Sequence, residues 1–185
     1  MTAKQSIQAA FRQLLTVQSM DQITVKQICD MANVNRQTFY YHYQNMVELL
    51  KDMIFLEIYD EVSKGRAFDT WKHGFLTTTR FINDNHDIFM NIYTSSYWDE
   101  ANRYFTQVSN ALLLGVIDEC IHNGNYQIAP EDKNFVIDYY RIVFNGLMTD
   151  WMKTGRKLAP EELLQKFSKM IDGTICMALE RFAVH

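Results

Sequence analysis

The segment from Asn35 to His42 carries the side chains whose types and spacing best suit a chemical task. Hydrogen-bonding and aromatic residues are mixed along it, and Arg36 and Gln37 stand next to each other near its start. Arginine can donate two hydrogen bonds to the edge of a guanine, and glutamine can make a matching pair of hydrogen bonds with an adenine. If the segment forms a helix, its first turn could therefore read base edges in a DNA groove.

The same segment also offers contacts to the phosphate backbone of DNA. Hydroxyl and imidazole groups can bond phosphate oxygens, and such contacts position a protein without reading sequence. Phe39 and Tyr43 are four residues apart, so they should share the opposite, inward face of the helix. The residues predicted to contact DNA, here and in the helix before, are Thr24, Lys26, Asn35, Arg36, Gln37, Thr38, Tyr40, Tyr41 and His42.

Two short helices joined by a tight turn are predicted to position these side chains. Thr24 is followed three residues later by Gln27, which is a capping box and predicts a helix over about 25–31. Asn33 tolerates a left-handed backbone better than most residues, so the chain can leave this helix there. The second helix should then run over about 35–43, and a helix-turn-helix places such a helix in the major groove.

One helix before this pair and one after it should complete the arrangement. The first, over about 2–18, has an apolar stripe with helical spacing and is predicted to close a three-helix domain over 1–46. The next begins at Asn45, with Glu48 as its capping-box partner, and should run to about Ser63 before Gly65. It opens a second, regulatory and dimerisation domain that is predicted over 47–185.

Several separated positions of this region agree with one known pattern. The region resembles the DNA-binding domain of the TetR family of bacterial transcriptional regulators through Ile23-Thr24-Val25, Ala32-Asn33-Val34, Thr38-Phe39-Tyr40, His42-Tyr43 and Glu48-Leu49-Leu50. Asn33 stands where the family usually has Gly, Tyr43 where it has Phe, and Met46 where it usually has a phosphate-binding Lys. The segments 151–155 and 160–163 also resemble the C-terminal domain type common in Firmicutes, which includes the activator of dihydroxyacetone kinase operons.

The resemblance implies how such a chain would act. A homodimer would bind a pseudo-palindromic operator in double-stranded DNA, and a small-molecule or protein effector at the C-terminal domain would control that activity. The last two helices of each subunit would form a four-helix dimer interface, with the residues Tyr140, Phe144, Met148, Trp151, Phe167 and Ile171. The alternative is a helical protein-interaction module whose N-terminal part does not bind DNA.

Charge and composition restrict the remaining classes of protein. The 185-residue chain has a net charge of −4, but residues 1–51 hold five basic against three acidic residues, which leaves 13 against 19 in the remainder. A basic N-terminal part on an acidic body is expected when only that part touches DNA. No run is apolar enough to span a membrane and no signal peptide opens the chain, so a cytoplasmic location is expected. Three scattered cysteines predict reduced thiols there.

The C-terminal part shows helical periodicity and no strand-like alternation, so an all-α fold of about nine helices is predicted. After residue 69, helices are expected over about 70–83, 87–94, 99–122, 129–153 and 160–182. Aromatic residues are frequent there, and aromatic walls with few polar groups are typical of ligand pockets, although the same residues could form plain core. The predicted pocket residues are Phe75, Phe89, Tyr93, Tyr104, Tyr139 and Phe144.

Neither catalysis nor metal binding is predicted, and no cofactor is expected. The sequence has no phosphate-binding glycine loop, nucleophile elbow or metalloprotease motif. The potential metal ligands His73, His86, Cys120 and His122 do not follow a zinc spacing. Cys120 and His122 are two residues apart on a predicted helix, so their side chains should point in different directions.

Overall fold

Most of the chain is helical, as the sequence predicts. The computed structural model describes residues 1–55, 58–59, 71–155 and 157–184. They divide into two compact units, of which the first comprises Met1–Glu57 with Asn85–Tyr104 and the second Ile58–Asp84 with Phe105–His185. Within the described ranges the β contact is one isolated antiparallel bridge between Gln127 and Val184. The all-α prediction is therefore confirmed.

The helices of the first unit begin at the predicted capping residues. Thr2 with Gln5, and Thr24 with Gln27, form complete capping boxes at the starts of the first two helices. Each pair satisfies two backbone N–H groups that have no partner inside the helix. The elements are α1 (Ala3–Leu15), a 3₁₀ turn (Met20–Gln22), α2 (Val25–Ala32), α3 (Arg36–His42), α4 (Met46–Leu50), a π-helical turn (Lys51–Phe55) and α6 (His86–Tyr93).

The core of the first unit is built from the inward stripes of these short helices. Phe11 and Leu15 of α1 and Ile28 of α2 have no exposed side-chain surface, and neither has Phe39 of α3. Full burial of such a side chain contributes about 1.5–3 kcal/mol. Because helices of five to eight residues are marginal in water, this burial holds α2, α3 and α4 in place.

A later segment, α6, packs on α1 within the same unit. The Arg12 guanidinium donates to Asn85 Oδ1 at 2.9 Å, and Asn91 Nδ2 donates to the Leu15 carbonyl at 2.9 Å. Asp21 accepts hydrogen bonds from the backbone N–H and hydroxyl of Ser96. The compact unit therefore includes residues well beyond 46, and the functional boundary at 46/47 stays a prediction.

The second unit consists of longer helices. They are α5 (Trp71–Asp84), the part of α7 (Trp98–Gly124) that follows Tyr104, α8 (Pro130–Lys153), α9 (Pro160–Ile171) and α10 (Thr174–Phe182). The single helix predicted over 160–182 is wrong, because the chain breaks at Asp172 and Gly173, whose φ is 79°. Glycine reaches this left-handed region without steric cost, so it ends α9 and starts a new direction. The predicted end of the fourth helix near Ser63 lies outside the described residues.

Aromatic rings form the centre of the second unit. The Phe75 ring stacks on Phe167 with centroids 5.1 Å apart and meets Phe144 edge-on at 5.5 Å. Trp71 meets Phe167 edge-on at 6.2 Å. Offset-stacked and edge-to-face pairs add about 0.5–1.5 kcal/mol each beyond their burial. This cluster joins α5, α8 and α9.

Two of the three cysteines are bonded to each other, so the prediction of reduced thiols is wrong for this pair. Cys120 of α7 and Cys176 of α10 form a disulfide with Cα atoms 5.2 Å apart, across 56 residues of sequence. The spacing of the two cysteines in the sequence does not indicate that they are close in space, because this depends on how the two helices pack. A disulfide closing a loop of this length typically stabilises a fold by about 2–4 kcal/mol. Cys29 remains a free, buried thiol.

Within the described ranges, no helix is both long enough and apolar enough to cross a membrane.

Candidate functional site

The turn between α2 and α3 sets the direction of the second helix. Asn33 has the left-handed angles φ 53° and ψ 48°, as its side chain predicts. The backbone N–H of Val34 then donates to the Cys29 carbonyl at 3.0 Å, which closes the end of α2. The helix-turn-helix geometry therefore rests on one left-handed residue that is not glycine.

The start of α3 is held by its own polar side chains. Asn35 Oδ1 accepts from the backbone N–H of Thr38 at 2.8 Å and from the Thr38 hydroxyl at 3.0 Å. This cap fixes the first turn, where side chains of a recognition helix reach base edges. Asn35 and Thr38 thus act first on each other, and any contact that they make with DNA would be additional.

The exposed side of α3 carries most of the predicted DNA contacts. Arg36 and Gln37 are exposed and have no hydrogen bond or ion pair with any described residue. Tyr40 is 55% exposed and Tyr41 is 84% exposed. His42 is half-buried, with its ring centroid 5.0 Å from that of Tyr41. The side chains that would read bases therefore have both access and unused hydrogen-bonding capacity.

The residues predicted on α2 are exposed but already have partners. Thr24 belongs to the capping box with Gln27. Lys26 Nζ lies 2.6 Å from Asp30 Oδ2. An exposed pair of this kind contributes only about 0.2–1 kcal/mol. Phosphate could replace Asp30 at little cost, but the carboxylate lowers the positive potential of this surface.

Tyr43 ends α3 at a partly buried polar cluster. Its hydroxyl donates to Asp52 Oδ2 at 2.8 Å, and Gln8 Nε2 donates to the same oxygen at 3.0 Å. Lys4 Nζ lies 2.8 Å from that oxygen. Through Asp52, the end of α3 is tied both to α1 and to the π-helical turn after α4. The sequence offered no sign of this role, because Asp52 belongs to no motif.

The cluster shifts the pKa values of both acids in it. Burial by itself would raise the pKa of Asp52, but the hydrogen bonds from Lys4, Tyr43 and Gln8 outweigh that effect and the pKa lies below its usual value. Burial, followed by the hydrogen bond to Asp52, raises the pKa of the Tyr43 phenol well above its usual range. At neutral pH the cluster therefore holds an ionised carboxylate and a neutral phenol that donates to it.

The six predicted dimer-interface residues lie in the core of their own unit. Five are buried in the protomer and Ile171 is half-buried. Tyr140 donates its hydroxyl to Thr174 Oγ1 at 3.0 Å, and the Trp151 indole N–H donates to the Leu158 carbonyl at 2.9 Å. The sequence showed that α8 is apolar over a wide arc, but not which part of the arc faces inward.

A different apolar set on α8 is exposed. Phe135 is 64%, Tyr139 57%, Ile142 62% and Val143 39% exposed. Gly146 continues the helical spacing, and nothing lies within 4 Å of where its Cβ would be. We call these five residues the apolar stripe. Met170 of α9 is 74% exposed and Met177 of α10 is 55% exposed.

A small cavity lies among the helices of the second unit. Its volume is about 30 Å³, which is room for about two water molecules. The lining residues are Trp71, Phe75, Ser109, Leu112, Leu113, Val116, Tyr140, Phe144, Phe167, Ile171, Asp172 and Ile175. Three of its polar side chains already have partners. Ser109 bonds Asn145, Tyr140 bonds Thr174, and Asp172 pairs with Lys72 at 2.8 Å.

The structure brings together two of the six predicted pocket residues, Phe75 and Phe144. Phe89 is buried in the first unit, where Tyr93 meets Trp98 edge-on at 4.8 Å. The Tyr104 ring lies 5.4 Å from Lys51 Nζ. Tyr139 is exposed on the apolar stripe. An aromatic-rich sequence did not distinguish cavity walls from ordinary core and from surface.

The possible metal ligands do not converge. Among the described residues, no group of three or more His, Cys, Asp or Glu side chains is arranged to hold a metal ion. Cys120 is engaged in the disulfide, and His86 lies beside Asp87 at 3.5 Å.

Comparison with known proteins matches two successive parts of the chain. Residues 7–53 match the family model described as bacterial regulatory proteins, tetR family, and residues 69–173 match a transcriptional regulator C-terminal region. A relative described as the HTH-type dhaKLM operon transcriptional activator DhaS, of Lactococcus lactis subsp. lactis (strain IL1403), is 25% identical over 133 residues. That match spans 72% of this chain and 70% of the relative.

Two solved structures share the fold. One is described as the dihydroxyacetone kinase operon activator DhaS, with a TM-score of 0.69, 21% identity and coverage of 98% of both chains. The other is a TetR transcriptional regulator from Streptococcus agalactiae 2603V, with a TM-score of 0.65 and 23% identity. It covers 91% of this chain and 93% of its own.

The polar cluster generates a prediction about stability and pH. Asp52→Asn should lower the free energy of unfolding by about 1–2 kcal/mol at neutral pH, because hydrogen bonds to an ionised group are lost. Since the folded-state pKa of Asp52 is lowered, its contribution is fully present above about pH 5 and is lost as pH falls through the folded pKa. Urea unfolding of both proteins from pH 7 to pH 3 measures the difference between them.

Asp30→Asn is the matched control, because its carboxylate is 64% exposed and pairs only with Lys26. It should change stability by no more than about 0.5 kcal/mol at any pH. A difference between wild type and Asp52→Asn that stays constant down to pH 3 would contradict the role given to Asp52.

Proposed function

Because this chain belongs to the TetR family of bacterial transcriptional regulators, we propose that it binds a pseudo-palindromic DNA operator as a homodimer under the control of an effector. Regulators of this family are generally not enzymes, and this chain acts through binding alone. Because bacterial DNA lies in the cytoplasm, the protein would act there. The observation that carries the proposal is α3, a capped and anchored helix whose first turn presents Arg36 and Gln37 to solvent, with no partner among the residues that the structure describes.

Base reading is assigned to the start of this recognition helix and phosphate contact to its later residues. Arg36 and Gln37 have the donors and acceptors for guanine and adenine edges. Tyr40 and Tyr41 extend from the following turn, where hydroxyl groups reach the backbone of DNA. Lys4 and Lys26 are paired with carboxylates, so few positive charges of the first unit are immediately available to phosphate. A shallow dependence of affinity on salt follows.

Arg36→Ala should lower specific affinity and relax the preference at one position of each half-site. The loss should be about 1–3 kcal/mol, the discrimination that one bidentate contact provides. Tyr40→Phe should instead weaken binding to all sequences about equally, since it loses only a phosphate contact. Selection from a randomised DNA library, followed by affinity measurements at several salt concentrations, compares the two variants with wild type.

The division of roles predicts opposite patterns for the two variants. An unchanged sequence preference in Arg36→Ala together with a changed one in Tyr40→Phe would refute it. Absence of DNA binding by the wild-type chain, across salt concentrations and genomic fragments, would instead favour a protein-interaction module.

A second copy of the chain is proposed to cover the apolar stripe. Large exposed apolar patches mark interaction surfaces, and a two-fold interface places the same patch on both subunits. The stripe follows one face of α8 over three turns, and Met170 and Met177 add apolar surface on the last two helices. Gly146 leaves space for a partner helix to approach its backbone closely. Family members dimerise, so a second copy is the occupant that these features favour.

Ile142→Glu should give a folded monomer. The change places a charge at the middle of the stripe in both copies, and the dimer dissociation constant should rise by about 100-fold or more. Val17→Glu is the control, since Val17 is also an exposed apolar residue, at 76%, but belongs to the first unit and not to the apolar stripe. Sedimentation velocity measures the mass of each variant, and circular dichroism measures its helix content.

Trp151→Glu provides a contrast with the stripe variant. Trp151 is 4% exposed in the protomer, so a charge there should unfold the second unit rather than release intact monomers. A well-folded monomer from Trp151→Glu and an unchanged dimer from Ile142→Glu would reverse the assignment of the two faces.

The effector is proposed to be an apolar compound that enters the cavity. The walls are mostly aromatic and aliphatic, and the polar side chains of Ser109, Tyr140 and Asp172 among them already have partners. The present volume admits only water, so an effector must move the surrounding side chains. Helix α7 contributes Ser109, Leu112, Leu113 and Val116 to the cavity and its first residues, 98–104, to the first unit. Effector binding would then change DNA affinity by favouring one position of α7.

Leu113→Trp should fill the cavity and abolish binding of a small apolar probe. Aminoanthracene, a neutral aromatic amine whose fluorescence rises in apolar surroundings, should bind wild type saturably at one site per protomer. Leu114→Trp is the matched control, because Leu114 is the next residue of α7 but is 38% exposed and does not line the cavity. Equal probe binding by both variants would remove the cavity as the effector site.

A further inference from the structure

The disulfide between Cys120 and Cys176 joins two elements that few other interactions hold together. α10 has nine residues, which is too short for a stable helix on its own. Its other attachments include the buried Ile175 and Leu179, the hydrogen bond to Thr174, the edge-on contact of the Phe182 and Phe135 rings, and the bridge of Val184 to Gln127 just after the helix. The disulfide is the covalent restraint in this set, so breaking it should loosen the hold on α10.

The two cysteine residues differ in exposure. Cys120 is 3% exposed, whereas Cys176 is partly exposed on the short helix. The Cα separation of 5.2 Å lies within the normal range for disulfides, so both the bonded and the reduced forms suit this backbone. Cys29 is a third, free thiol, and burial raises its pKa, which leaves less of the reactive thiolate.

The position of the pair links it to two surfaces already described. Cys120 follows Val116 by one helical turn, and Cys176 follows Ile175; Val116 and Ile175 both line the cavity. Met177, the next residue of α10, is exposed beside the last helices. The state of the pair therefore bears on the cavity wall and on surface that the proposed dimer would use.

We propose that Cys120 and Cys176 form a reversible thiol–disulfide site that reacts with low-molecular-mass disulfides, and that its state sets how firmly α10 is held. This inference rests on the proposed function in one respect: a DNA-binding protein works in a compartment that keeps thiols reduced, where disulfides are usually transient and redox-sensing. The bond is then a regulated modification and not a permanent structural disulfide.

The exchange occurs in two balanced steps. The Cys176 thiolate attacks one sulfur of the small disulfide, which forms a mixed disulfide and releases one small thiolate. The Cys120 thiolate then attacks the Cys176 sulfur, forms the protein disulfide and releases the second small thiolate. The protons of the two cysteines pass to the two released thiolates, so the protein dithiol is oxidised while one small disulfide is reduced to two thiols.

The test is an equilibrium of the full chain in glutathione buffers, followed by thiol labelling and mass spectrometry. Wild type should gain two labels together as the ratio of reduced to oxidised glutathione rises, and Cys29→Ser should show the same transition. Cys120→Ser should trap glutathione on Cys176, whereas Cys176→Ser should leave the buried Cys120 unmodified. These readouts need neither DNA nor a dimer, so they separate this inference from the proposed function.

Limited trypsin digestion measures how firmly α10 is held. Lys169 lies in the last turn of α9, before α10, and Arg181 lies in the last turn of α10, and both are exposed. Reduction should speed cleavage at these two sites by about tenfold or more, in line with a locally released segment. Cys176→Ser, and Cys176→Ala as a second variant, should match reduced wild type in every buffer. A disulfide that persists at all glutathione ratios, thiols that never oxidise, or equal cleavage rates in both states would each overturn the proposal.

Discussion

Burial of Phe39 and Tyr43 is the interaction on which the DNA-binding part of the molecule depends. A seven-residue helix has too few internal hydrogen bonds to persist alone in water, so α3 exists because these two rings fill the core of the first unit. Their burial directs Gln37, on the opposite face, to solvent, while Arg36 is exposed at the open first turn of the helix. The cap at Asn35 and the hydrogen bond from Tyr43 to Asp52 then fix the two ends of the helix.

Most of the lysine side chains of the first unit interact with groups of the protein itself, so their charges contribute to its structure. Lys4 neutralises Asp52 and Lys26 neutralises Asp30, while Lys51 lies over the Tyr104 ring. A surface with few uncommitted cations attracts DNA weakly in general, so a larger share of its affinity must come from contacts that depend on sequence. Met46, where the resembled family usually has a phosphate-binding Lys, acts in the same direction. Such a molecule would bind non-specific DNA less tightly and would discriminate more strongly between DNA sequences.

In the second unit, one helix supplies apolar surface in two directions. α8 places Tyr140, Phe144, Met148 and Trp151 inside and the apolar stripe outside. Phe144 of the inner set packs against Phe75 of α5 and Phe167 of α9, and it lines the cavity together with Tyr140. The outer set would be removed from water only by a partner. The disulfide holds α10 at the side of the cavity lined by α7, so the effector, the partner and the redox state would act on adjoining parts of one small core.

The sequence by itself determined the local features of this protein. Capping boxes at Thr2 and Thr24 and the left-handed Asn33 marked helix starts and the turn, because these signals depend on residues within four positions. Only tertiary structure decided which arc of α8 faces inward, that Asp52 receives the Tyr43 hydroxyl, and that Cys120 approaches Cys176. Each of these depends on how separate helices pack. An amphipathic pattern shows that a helix has an apolar face, but it does not show which element packs against that face. The break at Gly173 divided a continuous apolar pattern for the same reason, since helical periodicity does not register a change of direction.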